Sequence, residues 1–151
     1  MITFDVHQQV GTSIPKSFWA RWLRTLERHV REAKGSQLSI AIVGDAAIRR
    51  LNATYRGKDK ITDVLSFGER QAHNGRRASP TLAPGEPTNF LGELVICYPQ
   101  AKRQARALQH SLEHELSVLF VHGVLHLLGY EHHRRPAADR MRRLEDVILD
   151  R

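Results

Sequence analysis

The sequence predicts an α+β domain: one mixed sheet of about four strands with about five helices packed over it. Three observations carry this. Short β-branched runs alternate irregularly with stretches of helical apolar period, so strands and helices come in mixed order. The stretch from Ser111 to Leu128 places Leu112, Leu116, Leu119, Phe120, Val124 and Leu127 on more than one side of a helix, which marks it as central and buried. The chain has 151 residues, which fits one domain, 1–151, burying about 68–70% of its unfolded surface.

Taken in order, Ile2 to Val6 alternates apolar and polar residues and is the first candidate strand. Pro15 suits a helix's first turn. Phe18, Trp19, Trp22, Leu23, Leu26 and Val30 then recur at helical spacing, with Gly35 able to end the helix and both tryptophans assigned to the core. Gln37 to Val43 is a short β-branched strand between Gly35 and Gly44. Asp45 is the expected N-cap of a second helix, whose inner face is Ile48, Leu51, Asn52 and Tyr55. Asn52 interrupts that apolar stripe, so a hydrogen bond to a loop is expected of it. A basic connector, Tyr55 to Lys60, leads to a strand at Val64–Phe67. Residues 68–90 are polar and rich in Gly and Pro, and read as a long mobile loop carrying Arg76 and Arg77. Leu91 to Tyr98 is a largely apolar interior strand. Pro99 opens a helix to about Gln109, Ser111 caps the central helix, and Pro136 opens a last helix with Met141, Leu144 and Ile148 inward.

Composition narrows the class. Cys97 is the one cysteine, so no intrachain disulfide forms; this favours a reducing compartment, and its apolar surroundings make it a core residue. MITFDVHQQV lacks the features of a signal peptide, and no apolar run reaches the ~20 residues of a membrane helix. A soluble, cytoplasmic protein is expected. The formal net charge of +7 favours a polyanionic partner, nucleic acid first. Arginine-rich composition alone offers a plainer source for that charge, and no RRM-type aromatic signature is present.

The chemistry concentrates in His122-Gly-Val-Leu-His126-Leu-Leu-Gly129-Tyr-Glu-His132. His122 and His126 are four apart, so a helix projects both from one face, about 6 Å apart at Cβ. Gly129 suits the left-handed residue that ends a helix, and the returning chain can bring His132 to the same ion. Three nitrogen ligands with an open fourth position describe catalytic rather than structural zinc. Imidazoles also suit Fe, Cu and Ni. His133 is the competing third ligand. In H-E-x-x-H zinc proteases the glutamate after the first histidine is the general base; here Gly123 holds that place, although the spacing to His132 keeps the metzincin pattern. Glu115 and Glu131 are near in sequence, but nothing in the spacing brings either carboxylate to the metal.

Three blocks resemble the YbeY family of metal-dependent endoribonucleases: Leu51-Asn52 through Tyr55-Arg56-Gly57-Lys58-Asp59 to Thr62-Asp63-Val64-Leu65-Ser66-Phe67; Leu91-Gly92-Glu93-Leu94-Val95-Ile96-Cys97; and the histidine block just quoted. They run from about position 51 to 132 in the family's order. The resemblance implies a zincin-like α+β fold, one zinc ion on His122, His126 and His132, and a functional arginine at Arg56. It also implies cleavage of single-stranded RNA, maturation of the 16S rRNA 3′ end, and a part in late 70S ribosome quality control alongside ribosomal subunits. The chain departs from the pattern at Glu131 and Glu93, where aspartate is usual or common, at Ile61 for proline, at Val118 for histidine, and in the length of the 68–90 loop.

On this reading Arg56 holds the scissile phosphate, with Lys58, Lys60, Arg76, Arg77, Arg134 and Arg135 as further backbone contacts or solvated charges. Without the resemblance, Arg56 would be read as a surface arginine paired with Asp59 or Asp63. Ser66 and Met141 are read as packing residues. Two other functions fit the metal cage: a zinc amide hydrolase of the metalloprotease type, and a non-catalytic ribosome assembly protein with a structural metal closed by His133 or Glu131.

Overall fold

The computed structural model describes residues 1–68, 89–131 and 133–151. The expected loop at residues 68–90 therefore falls almost wholly outside the described residues, as does His132. The described residues form one four-stranded sheet and five α-helices, the α+β arrangement expected.

Strand β1 spans Thr3–Gln8, and helix α1 Lys16–His29. A 3-10 turn at Arg31–Ala33 leads to β2 at Gln37–Val43. Helix α2 is Asp45–Arg56 and β3 is Val64–Phe67. Then come β4 at Phe90–Cys97, α3 at Tyr98–Ala107, α4 at Leu112–Leu127 and α5 at Ala137–Leu149. The sheet order is β1-β2-β4-β3. Strands β1, β2 and β4 are parallel, with Val6 beside Ile40 and Ile40 beside Leu94. Strand β3 runs antiparallel along β4, with Leu65 beside Val95, and forms an edge.

The period-2 alternation of the strands divides the core. Leu38, Ile40, Ile42, Leu94 and Ile96 face one side, where they pack with Trp19, Leu26, Phe120, Val124 and Met141 of α1, α4 and α5. Val43, Leu65, Phe67, Val95 and Cys97 face the other side and pack with Ile48 of α2. Both tryptophans are buried, as expected of core residues.

Three local expectations need correction, the first being Tyr55, placed on the inner face of α2 but exposed. Helix α1 stops at His29 rather than near Gly35, because Val30 takes an extended conformation (φ −129°, ψ 100°) and points into the core. The N-cap of α2 is Gly44, and Asp45 is its first helical residue. The Asp45 carboxylate instead receives Arg103 at 2.7 and 3.1 Å, a partner from α3. Ser111 caps α4 as expected, accepting the His114 N–H at 3.0 Å. Asn52 is buried and donates to the Lys60 carbonyl at 2.9 Å, the loop contact its polar character implied.

Candidate active site

Helix α4 positions the two histidines by being buried nearly everywhere else. From Glu115 to Leu128, the residues that are not fully buried are Val118, His122 and His126. They are four apart and form one stripe, the single exposed line of the helix over that stretch. The side on which α4 meets the sheet is set by Gly123. A Cβ there would stand 2.2 Å from Leu94 Cδ1, so the helix approaches β4 closely enough that any side chain at that position must displace Leu94. The place where an H-E-x-x-H enzyme carries its base thus faces the sheet interior in this fold.

The two imidazoles converge. His122 Nε2 and His126 Nε2 are 3.1 Å apart, and their rings stand edge to face with centroids separated by 4.6 Å. Two nitrogens on one tetrahedral zinc, at about 2.0–2.1 Å each, would be about 3.3 Å apart. Donor type and spacing therefore fit one ion held between the two Nε2 atoms. On its other side, His122 Nδ1 lies 2.6 Å from Glu145 Oε1, a contact from α5. Glu145 is a residue that the sequence reading missed. The signal was present: it stands on the inward stripe Met141, Leu144, Ile148 of α5, where a carboxylate is out of place among apolar neighbours.

After His126 the helix ends as the glycine implied. Gly129 has φ +100°; its N–H bonds the His126 carbonyl, and the Tyr130 N–H reaches back to Leu125 at 3.1 Å. This pair of bonds is a Schellman closure, which ends the helix at Gly129. His132 itself lies outside the described residues, and among those described no group of three potential metal ligands converges. His133 is exposed.

Neither glutamate singled out by sequence stands with the histidines. Glu115 is 3% exposed and bonded to His110 Nε2 and, at 2.8 Å, to Gln104 Nε2, a buried link between α3 and α4. Glu131 is exposed and lines a cleft with Glu32, Tyr130 and Arg140.

Arg56, the last residue of α2, reaches the site through the edge strand. Its Nη2 donates to the Ser66 carbonyl at 2.5 Å, and its guanidinium lies 5.0 Å from the Phe67 ring centroid. The Ser66 hydroxyl in turn donates to the Gly123 carbonyl at 3.4 Å. One strand residue therefore joins Arg56 to the backbone beside His122. The pairing with Asp59 or Asp63 does not form: Arg49 holds Asp59 at 2.8 and 3.2 Å, and Asp63 accepts from Gln104 and from the Val64 N–H. Burial lowers the Arg56 pKa, but a guanidinium remains cationic at neutral pH. One of its five N–H donors is used by Ser66, leaving a planar fork for an anion.

Other candidates resolve into structure. Burial pushes the Cys97 thiol up to about 11, so it stays protonated at neutral pH and serves as core. Met141 is 1% exposed in the core cluster. Lys58, Lys60, Arg134 and Arg135 are exposed, while Arg76 and Arg77 lie outside the described residues. Among the described residues no helix is long and apolar enough to cross a membrane.

Comparison with known proteins agrees with this architecture. The solution structure of TM1509 from Thermotoga maritima has a similar fold, with a TM-score of 0.59 at 23% identity over 99% of this chain and 90% of that one. A protein of Dehalococcoides mccartyi named Endoribonuclease YbeY is 44% identical, over 96% of this chain and 94% of its own length. One of the same name from Halalkalibacterium halodurans is 39% identical, over 94% and 89%. The family described as Endoribonuclease YbeY matches residues 3–151, and the chain belongs to that family.

Proposed function

We propose that this chain is a zinc-dependent endoribonuclease that hydrolyses single-stranded RNA, acting on the 3′ end of precursor 16S rRNA and in late ribosome quality control. The observation that carries the reading is the convergence of the His122 and His126 Nε2 atoms on the exposed stripe of a buried helix, one residue from the strand that holds Arg56. The relatives' shared name supplies the reaction class.

His122, His126 and His132 would hold zinc. Bound there, it would supply Lewis-acid charge toward a phosphoryl oxygen and a water whose pKa falls toward ~7. The protein's own groups do the rest. Arg56 binds the non-bridging oxygens of the scissile phosphate with its remaining donors and offsets charge as it builds in the transition state. Its bond to Ser66 keeps the guanidinium in one orientation before RNA arrives, so little rotamer entropy is lost on binding. Lys58 and Lys60, just beyond α2 on the same connector, attract the RNA backbone. The amide-hydrolase alternative is disfavoured by Gly123, since the sheet fills the space its base would need.

The test compares wild type, His126→Ala and Arg56→Glu on single-stranded RNA with a 16S-like 3′ extension, with metal analysis of each protein. Zinc near one per chain in wild type, with cleavage lost in both variants and metal lost only in His126→Ala, is the expected result. Zinc present with RNA uncut, even when ribosomal subunits are added, would favour a structural metal instead. Product ends name the nucleophile: a 2′,3′-cyclic phosphate means attack by the RNA's own 2′-hydroxyl.

A further inference from the structure

Glu145 has no role in the chemistry above, yet it is 13% exposed and touches the candidate metal site. Its Oε1 lies 2.6 Å from His122 Nδ1, while Oε2 is 3.4 Å from Arg151 Nη2. A carboxylate accepts and cannot donate, so the proton of this bond sits on Nδ1. A neutral imidazole protonated at Nδ1 presents a lone pair at Nε2, the atom 3.1 Å from His126 Nε2. The bond also fixes the ring's rotation, because α5 is held against α4 by buried Met141 and Ile148.

We propose that Glu145 is a positioning residue for His122: it holds the ring in the Nδ1–H tautomer and aims Nε2 at the ion position shared with His126. Arg151 steadies the carboxylate from its other oxygen. Glu145 meets the ring at Nδ1, the nitrogen other than the one aimed at the ion position, so it acts through His122 rather than as a ligand. This inference rests on the proposed metal site, but its first consequence, the tautomer, is a property of the metal-free protein.

The experiment uses wild type, Glu145→Gln and Glu145→Ala. Long-range ¹H–¹⁵N correlation spectra of the metal-free proteins report the His122 tautomer. Wild type should show Nδ1–H, and Glu145→Ala should move toward the Nε2–H form common in free imidazole. Zinc affinity, measured by competition with a chromophoric chelator, should fall about 10- to 100-fold in Glu145→Ala and less in Glu145→Gln, whose amide oxygen still accepts. The thermal midpoint of metal-free Glu145→Gln should stay near wild type, which separates positioning from a merely structural loss. An Nε2–H tautomer at His122 in wild type would overturn the proposal. So would unchanged zinc affinity in both variants while wild type binds one zinc per chain. Failure of wild type to bind zinc at all would sink the metal reading, and the tautomer would still decide the role of Glu145.

Discussion

The contact at Gly123 decides which side of α4 faces the sheet, and it can be tested by a sign reversal. Replacing Gly123 with alanine in an otherwise regular helix should stabilise by about 1 kcal/mol, the difference in helix propensity. Here the added methyl would stand 2.2 Å from Leu94 Cδ1, with Leu94 Cγ and Cδ2 at 3.3 Å. Leu94 is fully buried between the sheet and its helices, so it cannot swing into solvent. Overpacking of this kind costs about 1–3 kcal/mol, which leaves Gly123→Ala net destabilised by up to about 2 kcal/mol. Leu94→Ala alone should cost about 2–5 kcal/mol through lost burial and a cavity. In that background the obstruction is gone, and Gly123→Ala should stabilise by about 1 kcal/mol. Urea unfolding of the four proteins gives the coupling directly, with at least about 1 kcal/mol expected between the two sites. If Gly123→Ala stabilises the wild-type protein, or its effect is the same in both backgrounds, the helix does not meet β4 as described. Position 123 would then have room for a protease-type base.

Two further predictions concern the scaffold. Ser111→Ala should lower stability by about 1 kcal/mol, or about 2–4 °C in thermal midpoint, with Ser111→Asp near wild type, because the Ser111 hydroxyl caps the helix bearing the histidines. Arg103 holds the Asp45 carboxyl below its ordinary pKa. A depressed carboxyl pKa contributes stability above the unfolded value, about 3.9, and loses it as pH falls through the folded value. With both side chains well exposed, Arg103→Ala should lower stability only slightly at pH 7, and thermal melts should show the gap closing below about pH 4.

What could be read in the sequence was local. Strand β2 has the bounds that its β-branched composition and flanking glycines implied, and β3 falls at Val64–Phe67 as expected. The Ser111 cap, the Gly129 closure and the shared face of His122 and His126 all depend on residues within one or two turns of each other. What escaped was long-range. Asp45 was drawn from its cap position by Arg103, 58 residues away. Glu145 meets His122 across 23 residues and two helices. Arg56 turned from nearby carboxylates to the Ser66 carbonyl, while Arg49, two turns earlier on the same face of α2, holds Asp59. Each loss is a competition between partners that only tertiary packing resolves.

The central claim is that RNA cleavage depends on an ion held by the histidines of α4. The most direct test adds zinc stepwise to chelator-stripped protein while cleavage of a single-stranded 16S-like RNA is followed. The account predicts no cleavage without metal, and activity that rises with occupancy to a plateau at one ion per chain. Cleavage at full rate by metal-free protein, or by His126→Ala at the same zinc occupancy, would contradict it.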